Sequence, residues 1–388
     1  MKHSTDRILT THTGSLPRPL DLFEMLKERA SGQPSTPAFE ARLQSAVNDV
    51  VARQRAAGID IPSDGEQSKP MFSDYVADRL HGFEGSHNSP GRFVNQSRHP
   101  EPYPEYAKWF ASTVPNWNPG AMPRRPVCVG PLSWKDRAYE ADIVNMKAAM
   151  AAAGVEEGFM PSPSPGILAM RLPNEHYASE EEYLFALADV MRDEYRAIAD
   201  AGLVLQIDSP DTAMAWDRQH WESLGEFRAA VAMRVRALNH ALEGIPEESV
   251  RFHVCWGNSE TPHTNDVPLT DIADLILQVN AGAFSIEGAN PRHGHEWQVW
   301  ETMKFPDGKT LIPGVIDSVT MIVEHPDLVA QRLVRYANLV GKQHVIGGVD
   351  CGFGTSASPT PRVHPEIVMA KLATLAEGAR RASAQLWK

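Results

Sequence analysis

Residues 250–257 read VRFHVCWG. In a strand, side chains two positions apart share a face. Packing Val254 against a helix layer would therefore turn His253 and Cys255 together toward the end of the strand. The same kind of run, short, apolar, rich in β-branched residues and ending in polar ones, recurs along the chain. It appears as ILTTHTGS (8–15), GIDIPSDGE (58–66), VCVGPL (127–132), GFMPSP (158–163), LVLQIDSP (203–210), AFSIEG (283–288), LIPGVIDS (311–318) and HVIGGVDCG (344–352). Long amphipathic segments separate most of these runs, which is the pattern of parallel strands joined by crossover helices. We therefore expect an α/β fold, a (β/α)8 TIM barrel with insertions, in one domain over residues 1–388. Nine runs are one more than such a barrel needs. VCVGPL has no long helix setting it apart, so it is assigned to an inserted hairpin or cap.

The helices are well punctuated. Thr36 and Pro37 read as an N-cap and first-turn proline, with Phe39, Leu43, Val47 and Val50 on one face. Ser179 with Glu182 forms a capping box for a helix that Gly202 ends, and Val329, Leu333, Tyr336 and Val340 make a stripe closed by Gly341. Residues 83–125 are a long stretch rich in Pro, Asn and Ser, with Tyr103, Tyr106, Trp109, Phe110 and Trp117. Such insertions are functional or disordered, and the aromatics favour an inserted, packed lid.

A net charge of −12 argues against nucleic-acid or anionic-membrane surfaces. No apolar run is long enough to span a bilayer, and the N-terminus lacks a signal pattern, so a cytoplasmic protein is expected. The partners expected are small molecules, a thiol and an alkyl donor, with a homo-oligomer allowed. Three cysteines, Cys128, Cys255 and Cys351, do not make a disulfide scaffold. Cys128 reads as a buried spectator.

The polar strand ends are where the chemistry is expected. His12, Ser15, Asp64, Glu66, Asp208, His253, Glu287, Asp317, Asp350 and Cys351 all end candidate strands. In a parallel barrel those ends converge on one catalytic face. There His253 and Cys255 meet Glu287 and Cys351, a four-ligand set for Zn2+, which takes Cys sulfur at about 2.3 Å and His nitrogen at about 2.0–2.1 Å. Two thiolates and a carboxylate make the site anionic. It is then suited less to activating water than to binding a thiol and keeping it as a nucleophilic thiolate.

Taken together these motifs resemble the catalytic C-terminal barrel of the cobalamin-independent methionine synthase family. The resemblance runs through TTHTGSLPRP (10–19), SDGEQ (63–67), QIDSP (206–210), HVC (253–255), SIEGAN (285–290), PGVIDS (313–318) and DCG (350–352). It implies zinc ligands at His253, Cys255, Glu287 and Cys351, and homocysteine held near Ser15, Glu66 and Asp208. It also implies zinc-dependent methyl or alkyl transfer to that thiol, as in methionine biosynthesis. Carboxylates suit the amino group of an amino-acid thiol. Asp317 would stand behind the ligands or face the donor.

Three departures stand out. The additional N-terminal barrel of full-length members has no counterpart in these 388 residues, and Ser209 stands where the family motif continues with Glu. Val319 replaces the histidine expected after PGV-x-D, which protonates the folate leaving group. His12, His293 and His295 are the candidates to supply that acid. The departures also open an alternative, epoxide opening by coenzyme M as in the epoxyalkane:coenzyme M transferases. A sulfonate would then need Arg18 or Arg292, both beside matched strand ends.

Overall fold

The run at 250–257 folds as its alternation requires. Val250, Phe252 and Val254 pack into the main hydrophobic core, while Arg251 and His253 take the opposite face. The preceding strand behaves alike, with Leu205 and Ile207 in the main core and Val204, Gln206 and Asp208 turned the other way. Burying each large apolar side chain contributes on the order of 1.5–3 kcal/mol relative to leaving it exposed.

The structure is a computed structural model that describes residues 1–30, 35–87, 103–113 and 125–388. Its strands are β1 (Leu9–Thr10), β2 (Leu80–His87), β3 (Arg125–Trp134), β4 (Phe159–Pro163), β5 (Val204–Asp208), β6 (Val250–Val254), β7 (Ala283–Ile286), β8 (Thr310–Pro313) and β9 (Ile346–Gly347). The fold is mixed α/β. A five-stranded parallel sheet runs β4-β5-β6-β7-β8, and β1 pairs in parallel with β9. Further parallel bridges join Thr11 to Ile61, Ser63 to Phe159, Leu311 to Val345 and Gly314 to Gly348.

The segment 58–66, expected as a full strand, makes only the bridges at Ile61 and Ser63. Pro62 has no N–H to donate, and the chain turns at Gly65 and Glu66, both at positive φ. Gln54 completes the pairing from the helix Pro37–Ala56, accepting from Ser63 N (2.9 Å) and donating to Ser63 O (2.8 Å). Leu9, Ile61, Phe159, Val204, Ala283, Ile312 and Ile346 form a small apolar cluster apart from the main core. Above Phe159 the Arg251 guanidinium sits 3.3 Å from the ring centroid, bonded to Gln206, Thr11 and the His12 carbonyl.

VCVGPL lies within β3, which pairs antiparallel with β2 outside the parallel set. Of the segment 83–125, residues 88–102 and 114–124, Trp117 among them, lie outside the described residues; between them runs the helix Pro104–Thr113. The caps read from sequence are present. Thr36 accepts from Phe39 N, Ser179 accepts from Glu182 N, and Gly202 follows its helix at φ +80°. Among the described residues no helix is long and apolar enough to cross a membrane.

Candidate metal centre and its cavity

His253, Cys255 and Cys351 come together although nearly a hundred residues separate the last two. Their ligand atoms all lie within 4.8 Å of one another, and the two sulfurs are 3.7 Å apart. All three are buried. His253 Nδ1 lies 3.3 Å from Ser285 Oγ on the neighbouring β7, which fixes the ring, while Nε2 is buried with no hydrogen-bond partner among the described residues. A buried, orphaned ring nitrogen costs free energy unless something binds it. Next to two thiols, it marks a set that fits a metal ion.

The two thiols titrate as a unit. Cys255 is pushed up by its hydrogen bond with Cys351 and by burial, and Cys351 is drawn down by that same bond, with His253 assisting. Glu287 lies outside the 4.8 Å group but close to it. Burial drives its carboxyl well above the ordinary range, and the nearby Asp350 and Cys351 add to this. Asn290 Nδ2 donates to Glu287 Oε2 at 3.2 Å. Asp350 organises this corner by accepting from the N–H groups of Gly288, Ala289 and Asn290 at 2.8–2.9 Å. It thereby ties the loop after Glu287 to the residue preceding Cys351.

A cavity of about 230 Å³ opens over the cluster, lined by His253, Cys255, Cys351, Ser15, Glu66 and Asp208 among others. Glu66 takes a left-handed backbone conformation, φ 55°, which strains a non-glycine residue. Its Oε2 is buried without a hydrogen-bond partner among the described residues, and Arg18 lies 3.7 Å away. Burial raises its carboxyl above the ordinary range, and the nearby Asp208 and Asp64 raise it further against Lys69 and Arg18. Asp208 is likewise raised by burial, against the pull of His253, and accepts from Gln206 Nε2 at 2.6 Å. Ser15 is held by close approach of the Cys351 loop: a Cβ on Gly352 would collide with Ser15 Oγ.

Several residues singled out from sequence go elsewhere. Arg18 is fully buried and donates to the carbonyls of Leu16, Gly354 and Lys69, so it braces the loops behind Glu66. Arg292 is exposed, and its Nη2 donates to Thr264 O at 3.3 Å. His12 bonds Gln54 Oε1 at 2.6 Å, and burial pulls it down to about 3. His293 stacks on Trp256 and bonds Asp266 and Glu296. Asp317 accepts from Val319 N, Thr320 N and Thr320 Oγ1, closing its own loop. None of these five lines the cavity. Cys128 is buried in the β2–β3 region, its Sγ 3.4 Å from Gly130 O.

The cavity holds residues the sequence reading did not single out: Met71, Phe72, Arg171, Met214, Arg218, Asn258, Ser259, Thr355 and Ser356. Asn258 joins two rim segments, donating to Gly352 O (2.6 Å) and Thr355 Oγ1 (3.1 Å). A larger cavity of about 400 Å³, lined by Leu26, Phe39, Tyr75 and Arg79 among others, contains none of the expected site residues.

No protein-family model matches the chain. Among curated relatives, it is 24% identical over 346 residues to a protein named methionine synthase from Thermococcus kodakarensis, covering 88% of this chain and 86% of that one. It is 22% identical over 375 residues to the methionine synthase of Saccharolobus solfataricus, covering 96% and 93%. Its fold matches the solved B12-independent methionine synthase of Shewanella sp. W3-18-1, in complex with selenomethionine, with a TM-score of 0.72 and 20% identity over 98% of this chain and 99% of that one. Along nearly its whole length, this chain is similar in sequence to proteins named methionine synthase and in fold to a solved B12-independent methionine synthase.

Proposed function

We propose that this chain is a zinc-dependent S-methyl- or alkyltransferase whose acceptor is a thiol, homocysteine first, bound in the cavity over His253, Cys255 and Cys351. One observation carries the reading. Among the described residues, a buried imidazole nitrogen that makes no hydrogen bond and two adjacent sulfurs share a cavity with a buried Glu66 carboxylate oxygen that accepts none, Arg18 lying 3.7 Å from it. A thiol bearing an ammonium group answers both needs at once.

The fold that this requires is a closed (β/α)8 barrel, one domain over 1–388 with 83–125 inserted. Support comes from the order of parallel pairing. It passes from β9 to β1, through 61–63 to β4, along the sheet to β8, and from β8 back toward β9. The separate apolar cluster, drawn from these same segments, is what a barrel interior would contain.

Two thiols and an imidazole are ligands that zinc takes in tetrahedral sites, and Glu287 is the proposed fourth. When bound, the metal supplies the positive charge that converts a thiol to a nucleophilic thiolate at neutral pH. The chain's own residues do the rest. Ser285 orients the His253 ring, and Asp350 holds the Glu287 loop against the Cys351 segment. Glu66 and Asp208 take the substrate ammonium through charge-assisted hydrogen bonds. Met71, Phe72 and Met214 give the cavity an apolar wall that limits water beside the sulfur. The relatives named methionine synthase support methyl transfer to homocysteine, and with it a role in methionine biosynthesis, which we place in the cytoplasm as part of the same proposal. The coenzyme M alternative asked for Arg18 or Arg292 beside the cluster, and neither lines the cavity.

Thiol binding should release a proton, because the ligand must lose it to be held as a thiolate. Calorimetry of homocysteine binding to the zinc-loaded protein, in buffers of different ionisation enthalpy, counts that proton. Release of about one proton, lost in Cys351→Ser, is expected. Binding without proton release contradicts the proposal.

A further inference from the structure

We infer that Arg251 is a positioning residue for the acceptor thiol. Acting through Gln206, it holds Asp208 where the substrate ammonium is received, so that the site selects an amino-acid thiol over the same thiol without its amino group. The inference rests on the thiol reading of the cavity proposed above.

The sequence sets four polar side chains on two rungs. In QID (206–208) and RFH (251–253) the central Ile207 and Phe252 enter the main core, so the flanking residues share the opposite face. In the β5–β6 register Gln206 lies beside Arg251, and Asp208 beside His253. The upper rung, Asp208 and His253, lines the cavity. The lower rung lies about 7 Å back along the strands, with Gln206 0% and Arg251 1% exposed.

Burying a guanidinium is costly when no carboxylate lies beside it. Among the described residues Arg251 nevertheless makes no ion pair. Its Nε donates to Gln206 Oε1 (2.7 Å), Nη1 to Thr11 Oγ1 (2.9 Å) and Nη2 to the His12 carbonyl (2.6 Å). The group is further held 3.3 Å from the centroid of the buried Phe159 ring.

The bond to Gln206 is the one that reaches the site. A side-chain amide has an acceptor end and a donor end, whereas a guanidinium only donates. Arg251 therefore takes Oε1, and Nε2 is turned to donate to Asp208 Oδ1 at 2.6 Å and to the Thr13 carbonyl. One Asp208 oxygen is thus fixed from below, and the other is left for the ammonium. Without the arginine the amide is free to turn over and present Oε1 to the carboxylate, which repels it.

Calorimetry on the zinc-loaded protein compares homocysteine with 4-mercaptobutanoate, which keeps the thiol and the carboxylate and lacks the amino group. Arg251→Met and Gln206→Met should each weaken homocysteine binding about 5- to 20-fold, the loss of one well-placed charge-assisted hydrogen bond. The affinity for 4-mercaptobutanoate and the zinc content should stay as in wild type. Asp208→Asn should lose the same preference, and adding Arg251→Met to it should cost no more, since the arginine acts through that carboxylate.

An unchanged preference in both methionine variants overturns the inference. So does an equal loss for both thiols, the mark of a general loosening of the strands, and so do additive losses in the double variant. Should Arg251→Met fail to fold, Gln206→Met decides alone by the same preference. A wild type that binds both thiols equally sinks the proposed ammonium contacts and this inference together. A wild type that prefers homocysteine, with variants that keep the preference, sinks the inference alone.

Discussion

Replacing His293 with glutamine separates two roles for this histidine, a structural cation and the acid of the reaction. Its ring lies 4.0 Å, centroid to centroid, from Trp256; Nε2 is 2.9 Å from Asp266 Oδ2 and Nδ1 is 3.3 Å from Glu296 Oε2. Burial pulls the imidazole down, but hydrogen bonds to Asp266 and Glu296 outweigh it and hold the group at about 9. Because this lies above the ordinary 6.5, the folded state binds the proton more tightly than the unfolded chain does. The resulting stabilisation is complete below about pH 6.5 and is lost as the pH rises through about 9. A histidine held at about 9 instead of 6.5 contributes at most ~3 kcal/mol. His263, which bonds the same Asp266 oxygen at 2.8 Å, retains part of the pairing in the variant. We therefore expect His293→Gln to lose about 2 kcal/mol near pH 6 and less than about 1 kcal/mol near pH 10. Urea unfolding of metal-loaded wild type and variant at the two pH values measures this. Equal destabilisation at both would refute the linkage argument. Full stability with collapsed alkylation would make His293 the acid.

Other outcomes follow from the same geometry. Glu66→Gln should weaken homocysteine binding about 10- to 100-fold in calorimetry, through loss of a charge-assisted hydrogen bond. Burial raises the Glu66 carboxyl, so ionising it costs stability as pH rises above the ordinary carboxylate range; the variant should be at least as stable as wild type near neutral pH. Cys255→Ala and Cys351→Ser should each cut zinc content, read by elemental analysis, with Cys128→Ala leaving it unchanged. Gly352→Ala places a methyl against Ser15 and should lower stability by about 1–3 kcal/mol; an unchanged melting temperature would show that the Ser15 loop yields freely.

What could be read from the sequence follows from strand periodicity. His253, Cys255, Asp208, Glu66 and Cys351 were legible because a strand end in a parallel sheet has one destination, and alternation says which residues face it. The same rule misled where a strand-end side chain turned back into its own loop. Asp317 binds Val319 and Thr320, and Arg18 folds inward onto three carbonyls, so neither reaches the cavity. His12 faces Gln54 because that glutamine completes the pairing of the interrupted segment at 61–63. Arg171 and Arg218 could not be placed from pattern, since each sits on a short helix after a strand, and the aim of a loop-borne side chain depends on tertiary packing. Asp350 read as one more polar strand end. Its role in gathering three backbone N–H groups of the Glu287 loop appears only once β8 and β9 lie side by side.

The most direct test of the central claim is zinc-edge X-ray absorption on the purified protein, alone and with homocysteine or coenzyme M. The account predicts bound zinc with two sulfur neighbours at about 2.3 Å and a third on adding homocysteine. A protein that takes up no zinc, or a first shell that ignores both thiols, would contradict it.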